Sequence, residues 1–180
     1  MITWSVIANI VHQRVAEPAL DQLNRTEKAV SILKQLKKFG INLDPPPDFE
    51  GCYVHTLVEY GIHAKEKYGE IRCQPLIHFF AHKEICQAFQ KWFEDPQQKR
   101  ETFEKNADET ILWDKVGEEL RHVKLDEQIR EEFQLFADIF NQHVDRTRSA
   151  FQARVEGKVD LIVAIILRRL LLVSLVHQMS

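Results

Sequence analysis

Residues 45–61 read PPPDFEGCYVHTLVEYG, and this stretch carries the signals that start, fill and end a helix. Three consecutive prolines hold the entering chain in a stiff, polyproline-like conformation. Asp48 is a good helix cap, and Gly61 is of the residue type that commonly ends a helix. Apolar residues between these two supply packing surface: Val54, Leu57, Val58 and Tyr60. The stretch therefore specifies packing, and it contains no catalytic motif.

The sequence before this stretch repeats apolar residues at the three- and four-residue spacing of helices. The pattern predicts a first helix over about residues 3–16 and a second that follows Thr26 and is closed by Gly40. After Gly61 we expect a polar connector at residues 63–72.

The second half of the chain predicts further helices. Pro75 suits the first position of a helix that runs to about Glu94, and a charged helical segment follows at 97–122. Asp126 can cap another helix, whose apolar face repeats phenylalanine: Ile129, Phe133, Phe136, Phe140, Val144 and Phe151. We predict an all-α, bundle-like domain of about six to seven helices over residues 1–156, with an apolar C-terminal tail helix at 157–180.

Composition limits the classes of partner. The 24 Lys and Arg against 27 Asp and Glu give a net charge of -3, so the chain has no basic excess to bind a phosphate backbone, and we expect no nucleic acid partner. Cys52, Cys73 and Cys86 are odd in number and lack CxxC spacing, which indicates free thiols in a reducing cytoplasm.

Six residues have the type and spacing of metal ligands. His78, His82 and Cys86 recur every four residues on the helix predicted after Pro75, so they could line one face as zinc requires. His55, Glu59 and His63 repeat the same period. A small helical metalloprotein or hydrolase is thus an alternative function, but histidines within an apolar arc are more often structural, and we predict no metal and no cofactor.

Other catalytic patterns are missing from the sequence. It contains neither GxSxG nor the phosphate-binding patterns GxxxxGK[ST] and GxGxxG. The adjacent acids Glu118-Glu119 and Glu131-Glu132 point to different sides of a helix, so we expect them on solvated faces. We therefore predict that the chain is not an enzyme.

The C-terminal tail is the most apolar segment. Residues 161–167 and 170–176 are almost entirely apolar and are separated by Arg168-Arg169. Two arginines near its centre disfavour a transmembrane helix, so we predict contact with protein, through another copy or a partner, with a membrane-interacting effector as a second alternative. β-Branched residues leave a strand open as well. The predicted contact residues are Leu161, Ile162, Ile165, Ile166, Leu170 and Leu171.

Several motifs together resemble a known family. They are PPxDFxGxY at 45–53, LVEYG at 57–61, PLIxFF at 75–80, KEIxxAF at 83–89, WDxVG at 113–117, FxxFxxIF at 133–140 and RTRS at 146–149. Over about residues 25–150 the chain is similar to the N-terminal helical region that precedes the nucleotide-binding domain of bacterial NACHT-family NTPases.

The resemblance implies a role in signalling. In such proteins the NACHT module binds and hydrolyses ATP, a C-terminal repeat region senses, and the N-terminal region relays or assembles. This sequence lacks the nucleotide-binding motifs, so the resemblance implies an excised N-terminal module or a product shortened before the NTPase. The expected function is a non-enzymatic protein-protein interaction module in bacterial defence signalling.

Overall fold

A computed structural model describes residues 3–40, 48–94, 124–125 and 128–149, and these residues fold as helices joined by short turns. The helices are α1 (Trp4–Val15), α2 (Arg25–Lys38), α3 (Phe49–Tyr68), α4 (Glu70–Phe80) and α5 (Lys83–Glu94). A short 3₁₀ turn, Pro18–Leu20, lies between α1 and α2, and α6 covers 129–149. The described residues contain no strand, and the predicted all-α multi-helix domain is confirmed.

Local capping sets the ends of α2. The Asn24 side chain accepts a hydrogen bond from the Glu27 amide and the Glu27 carboxylate accepts one from the Asn24 amide, each at 3.0 Å. This reciprocal pair starts the helix at Arg25, two residues earlier than the sequence suggested, because Asn24 rather than Thr26 supplies the cap. Gly40 follows the last turn with φ of 84°, as a closing glycine does.

Helix α3 begins as predicted and ends later than predicted. The Asp48 carboxylate accepts a 2.9 Å hydrogen bond from the Gly51 amide and caps the helix. The helix then continues through Gly61 to Tyr68, so the connector predicted at 63–72 is wrong. It stops at Gly69, whose φ of 80° breaks the helical path.

The single helix predicted from Pro75 to Glu94 is two helices. Helix α4 starts at Glu70, so Pro75 lies inside it, and the chain leaves the helix at Ala81 before α5 begins. Ala81 donates to the carbonyls of Ile77 and His78, which is the tightened last turn of a helix end.

Helix α6 carries the predicted phenylalanine face into the core. Phe133, Phe136 and Phe140 are all buried, and Phe136 stacks on Phe80 with ring centroids 4.0 Å apart and planes 4° apart. The Tyr53 ring from α3 lies 5.3 Å from the same Phe136 ring. Truncating one such phenylalanine to alanine typically costs about 3–5 kcal/mol. The cap predicted at Asp126 and the last phenylalanine, Phe151, lie outside the described residues.

The chain divides into two compact units, at 1–144 and 145–180. The first contains the buried core, and in the second the described residues, 145–149, are helical. The domain boundary predicted at 156/157, the charged segment at 97–122 and the apolar tail lie outside the described residues. That boundary therefore stays a prediction.

Candidate functional site

A buried carboxylate joins α3 to α6. The Glu132 side chain is 1% exposed and accepts three hydrogen bonds. Its Oε2 accepts from the Tyr60 hydroxyl at 2.7 Å, and its Oε1 accepts from the Tyr68 hydroxyl at 2.6 Å and from the Lys67 ammonium at 2.7 Å. The carboxylate thus receives the partners that a buried charge requires.

The three donors come from one stretch of α3. Lys67 and Tyr68 follow Tyr60 by seven and eight residues. This spacing is about two helical turns, so all three side chains lie on one side of α3. That arrangement needs α3 to be helical beyond Gly61. The network therefore depends on the extension of α3 to Tyr68.

Electrostatics keep this network charged. Burial by itself raises the pKa of Glu132, but hydrogen bonds from Lys67, Tyr68 and Tyr60 outweigh that effect and leave its pKa below the ordinary value of 4.5. The hydrogen bond to Glu132 is the main reason that the pKa of Lys67 is raised. Burial, with Glu132 beside it, raises the pKa of Tyr60 well above 10.0. The site is a charged contact between α3 and α6, and its groups do not exchange protons near neutral pH.

Glu132 was expected on a solvated face together with Glu131, and for Glu132 that interpretation is wrong. Its spacing from Ile129 and Phe136 is three and four residues, so it shares the apolar face of α6. This signal was present in the sequence. What the sequence did not show was the set of α3 donors that makes burial of the charge possible.

The ladder of His78, His82 and Cys86 does not form on a single helix. His78 is on α4, His82 precedes α5 in the turn between the two, and Cys86 is on α5. Cys86 is buried, its thiol donates to the Phe80 carbonyl at 3.6 Å, and burial raises its pKa to about 12. Burial lowers the pKa of His78. These three side chains therefore occupy separate environments.

The second candidate set lies on a single helix, and a histidine from α6 lies beside it. His55, Glu59 and His63 all lie on α3, because Gly61 does not interrupt it. The His55 ring lies 5.4 Å from the ring of His143 on α6, and His143 Nε2 is 2.9 Å from Glu59 Oε2. Sequence spacing could not identify His143, which is 84 residues from Glu59.

Neither set assembles a metal centre in the part of the chain that the structure describes. Within residues 3–40, 48–94, 124–125 and 128–149, no group of three or more His, Cys, Asp or Glu side chains is arranged to hold a metal ion. Among the same residues, no helix has both the length and the apolar character needed to cross a bilayer. The predicted contact residues of the tail lie outside the described part.

These observations define the class of protein as an all-α domain. Its clearest cluster of polar groups, the Glu132 network, links two helices. The chain belongs to the NACHT N-terminal helical domain 5 family, whose model matches residues 3–150. The resemblance found in the motifs is thus confirmed, over a longer range than the motifs covered.

A longer bacterial protein is also similar to this chain. An uncharacterised WD repeat-containing protein of Nostoc sp. (strain PCC 7120) is 30% identical in an alignment 141 residues long that covers 75% of this chain. The chain spans 8% of the length of that relative. No solved structure gives a significant match.

Proposed function

We propose that this chain is a non-enzymatic assembly module of a NACHT-type signalling protein, acting in the cytoplasm by contact with protein. The match to the NACHT N-terminal helical family over residues 3–150 is the observation that carries this proposal. By its name, that family describes a helical region at the N-terminal side of a NACHT domain. That position supports a role in relaying or assembling.

The relative supports a modular role. Its alignment to this chain occupies 8% of a WD repeat-containing protein, so the helical region is a small part of a much longer chain there. A domain that packs its own core, as residues 1–144 do here, can serve as one unit in such a protein.

The apolar tail is the proposed contact element. Large apolar side chains that the described residues expose lie on several elements, namely Val6 on α1, Val30 on α2, Phe39 after α2 and Ile71 on α4. Single exposed apolar residues are normal on protein surfaces and do not indicate an interface. The dense apolar sequence at 161–176 is the stronger candidate, and Leu161, Ile162, Ile165, Ile166, Leu170 and Leu171 are its proposed contact residues.

Self-association through the tail is tested by light scattering on the full 180-residue chain. We expect a mass above the monomer value of 21.1 kDa that rises with protein concentration. Leu170→Asp should return the mass to that of the monomer, because a charge in an apolar interface must lose its hydration.

Ser180→Asp is the matched control, since it adds the same charge to the same tail at its last residue. It should leave the assembly intact. A wild-type chain that stays at 21.1 kDa at every concentration, with a tail that limited proteolysis removes at once, would overturn self-association.

A further inference from the structure

A cavity of about 150 Å³ lies where α1, the 3₁₀ turn, α2 and α3 meet. Its inner wall is aliphatic: Val15, Leu20, Ile32 and Ile62, each no more than 8% exposed. A cavity of this size has room for a compact hydrocarbon of about six carbons. The interior therefore fits an apolar group of that size.

Charged side chains form the rim of the same cavity. Lys65 Nζ lies 2.7 Å from Asp21 Oδ1, and Arg25 reaches Glu66 Oε2 at 2.6 Å, beside the cavity. Among the lining residues, Lys28 and Lys65 balance Asp21 and Glu66, and Arg25 adds a third cation from outside the lining. Because Glu66 pairs with Arg25 at 2.6 Å, its contact with Lys28 is the longer of the two, at 3.5 Å.

Lys28 is the rim cation with spare bonding capacity. Its side chain is 15% exposed, and its ion pair with Glu66 is long, with 3.5 Å between Nζ and Oε1. A well-formed bond between an ammonium and a carboxylate is about 2.7–2.9 Å, and an ammonium has three donors. Lys28 is thus a largely covered cation that could accept a closer anionic partner.

We propose that this cavity binds a small branched aliphatic carboxylate, with the hydrocarbon end among Val15, Leu20, Ile32 and Ile62 and the carboxylate at the ammonium of Lys28. The site combines an apolar interior with a single oriented charge, which is the usual make-up of a small-molecule site. It shares no residue with the Glu132 network or with the contact residues proposed in the tail, so its failure or success leaves the proposed assembly function unaffected.

The test titrates 4-methylpentanoate into the full chain and follows the methyl groups of isoleucine, leucine and valine by NMR. We expect saturable shifts at Ile32 and Ile62, with a Kd on the order of 1 mM for a ligand of this size. The amine 4-methylpentan-1-amine has the same hydrocarbon and the opposite charge, so it should not saturate these shifts. Equal binding of acid and amine, or shifts that never saturate, would overturn the proposal.

Substitutions in α2 test whether the Lys28 ammonium binds the carboxylate of the ligand. Lys28→Met removes the cation with little change of length and should weaken binding at least tenfold, whereas Lys28→Arg should keep it. Lys34→Met is the control, because Lys34 is an exposed lysine on the same helix and does not line this cavity. Wild-type affinity in Lys28→Met would refute the assignment. Should that variant fail to fold, as judged by circular dichroism, the comparison of acid with amine on the wild type still decides.

Discussion

The Tyr53 hydroxyl donates a 2.6 Å hydrogen bond to the carbonyl oxygen of Phe80, the last residue of α4. The Cys86 thiol donates to the same oxygen at 3.6 Å. A carbonyl at a helix end has no partner in its own helix, and here side chains from α3 and α5 supply the partners. This contact explains how the chain can leave the helix at Ala81 without leaving a buried carbonyl unpaired.

Replacing Tyr53 with phenylalanine removes that hydroxyl and keeps the ring. We expect Tyr53→Phe to lower the free energy of unfolding by about 1–3 kcal/mol, because the buried Phe80 carbonyl loses its short hydrogen bond. Urea unfolding followed by circular dichroism measures the change. If the urea midpoint is unchanged, the Tyr53 hydroxyl has no role in ending α4.

The buried carboxylate should be far more sensitive to substitution than its neighbour. Glu132→Leu leaves Tyr60, Lys67 and Tyr68 without their shared acceptor and should cost about 1–3 kcal/mol, chiefly because the buried Tyr60 hydroxyl loses its partner. Glu132→Gln keeps one acceptor oxygen and should cost less. Glu131→Gln is the matched control on an exposed position of the same helix, and it should change the free energy of unfolding by no more than about 0.5 kcal/mol. Similar losses at 131 and 132 would show that the network does not stabilise the fold.

The same network predicts how stability depends on pH. Although burial opposes it, the three hydrogen bonds leave the folded-state pKa of Glu132 below its ordinary value of 4.5. A lowered carboxyl pKa stabilises the fold above 4.5, and that contribution is lost as the pH falls through the folded-state value. Unfolding curves at pH 6 and pH 3.5 should therefore show a larger loss for wild type than for Glu132→Gln. Equal losses in the two proteins would contradict this.

Features that depend on nearby residues could be predicted from the sequence. The cap at Asp48, the closing glycine at Gly40 and the phenylalanine face of α6 each follow from signals within one or two helical turns. The family resemblance rested on similarly local motifs. For this reason the fold class was predicted correctly before any contact between helices was known.

Features that depend on distant partners could not be predicted. The end of α4 relies on Tyr53, which is 27 residues from Phe80, and burial of Glu132 relies on donors 64 to 72 residues away. The pairing of Glu59 with His143 is of the same kind. Residue spacing predicts one helix at a time, so it could not predict these contacts between helices.

At Gly61 the local sequence pattern predicts a helix end, whereas packing between helices explains the glycine. A Cβ added there would lie 3.1 Å from Val11 Cγ1 on α1 and 3.2 Å from Ile77 Cδ1 on α4. The glycine therefore marks close packing of α1 and α4 against the middle of α3, instead of the helix end that its residue type suggested. Alanine favours a helix over glycine by about 1 kcal/mol, but crowding a tight core costs about 1–3 kcal/mol.

We expect Gly61→Ala to be destabilising by about 1 kcal/mol, because the Val11 side chain is β-branched and cannot easily turn away from the added methyl group. Val11→Ala alone should also destabilise the domain, by leaving a void. Combined, the two changes should cost less than the sum of the single changes, since the new methyl group occupies space that Val11 vacates. A double-mutant cycle from urea unfolding measures this coupling. Strict additivity would mean that Gly61 and Val11 do not limit each other's size, and the close approach of α1 to α3 would then have another cause.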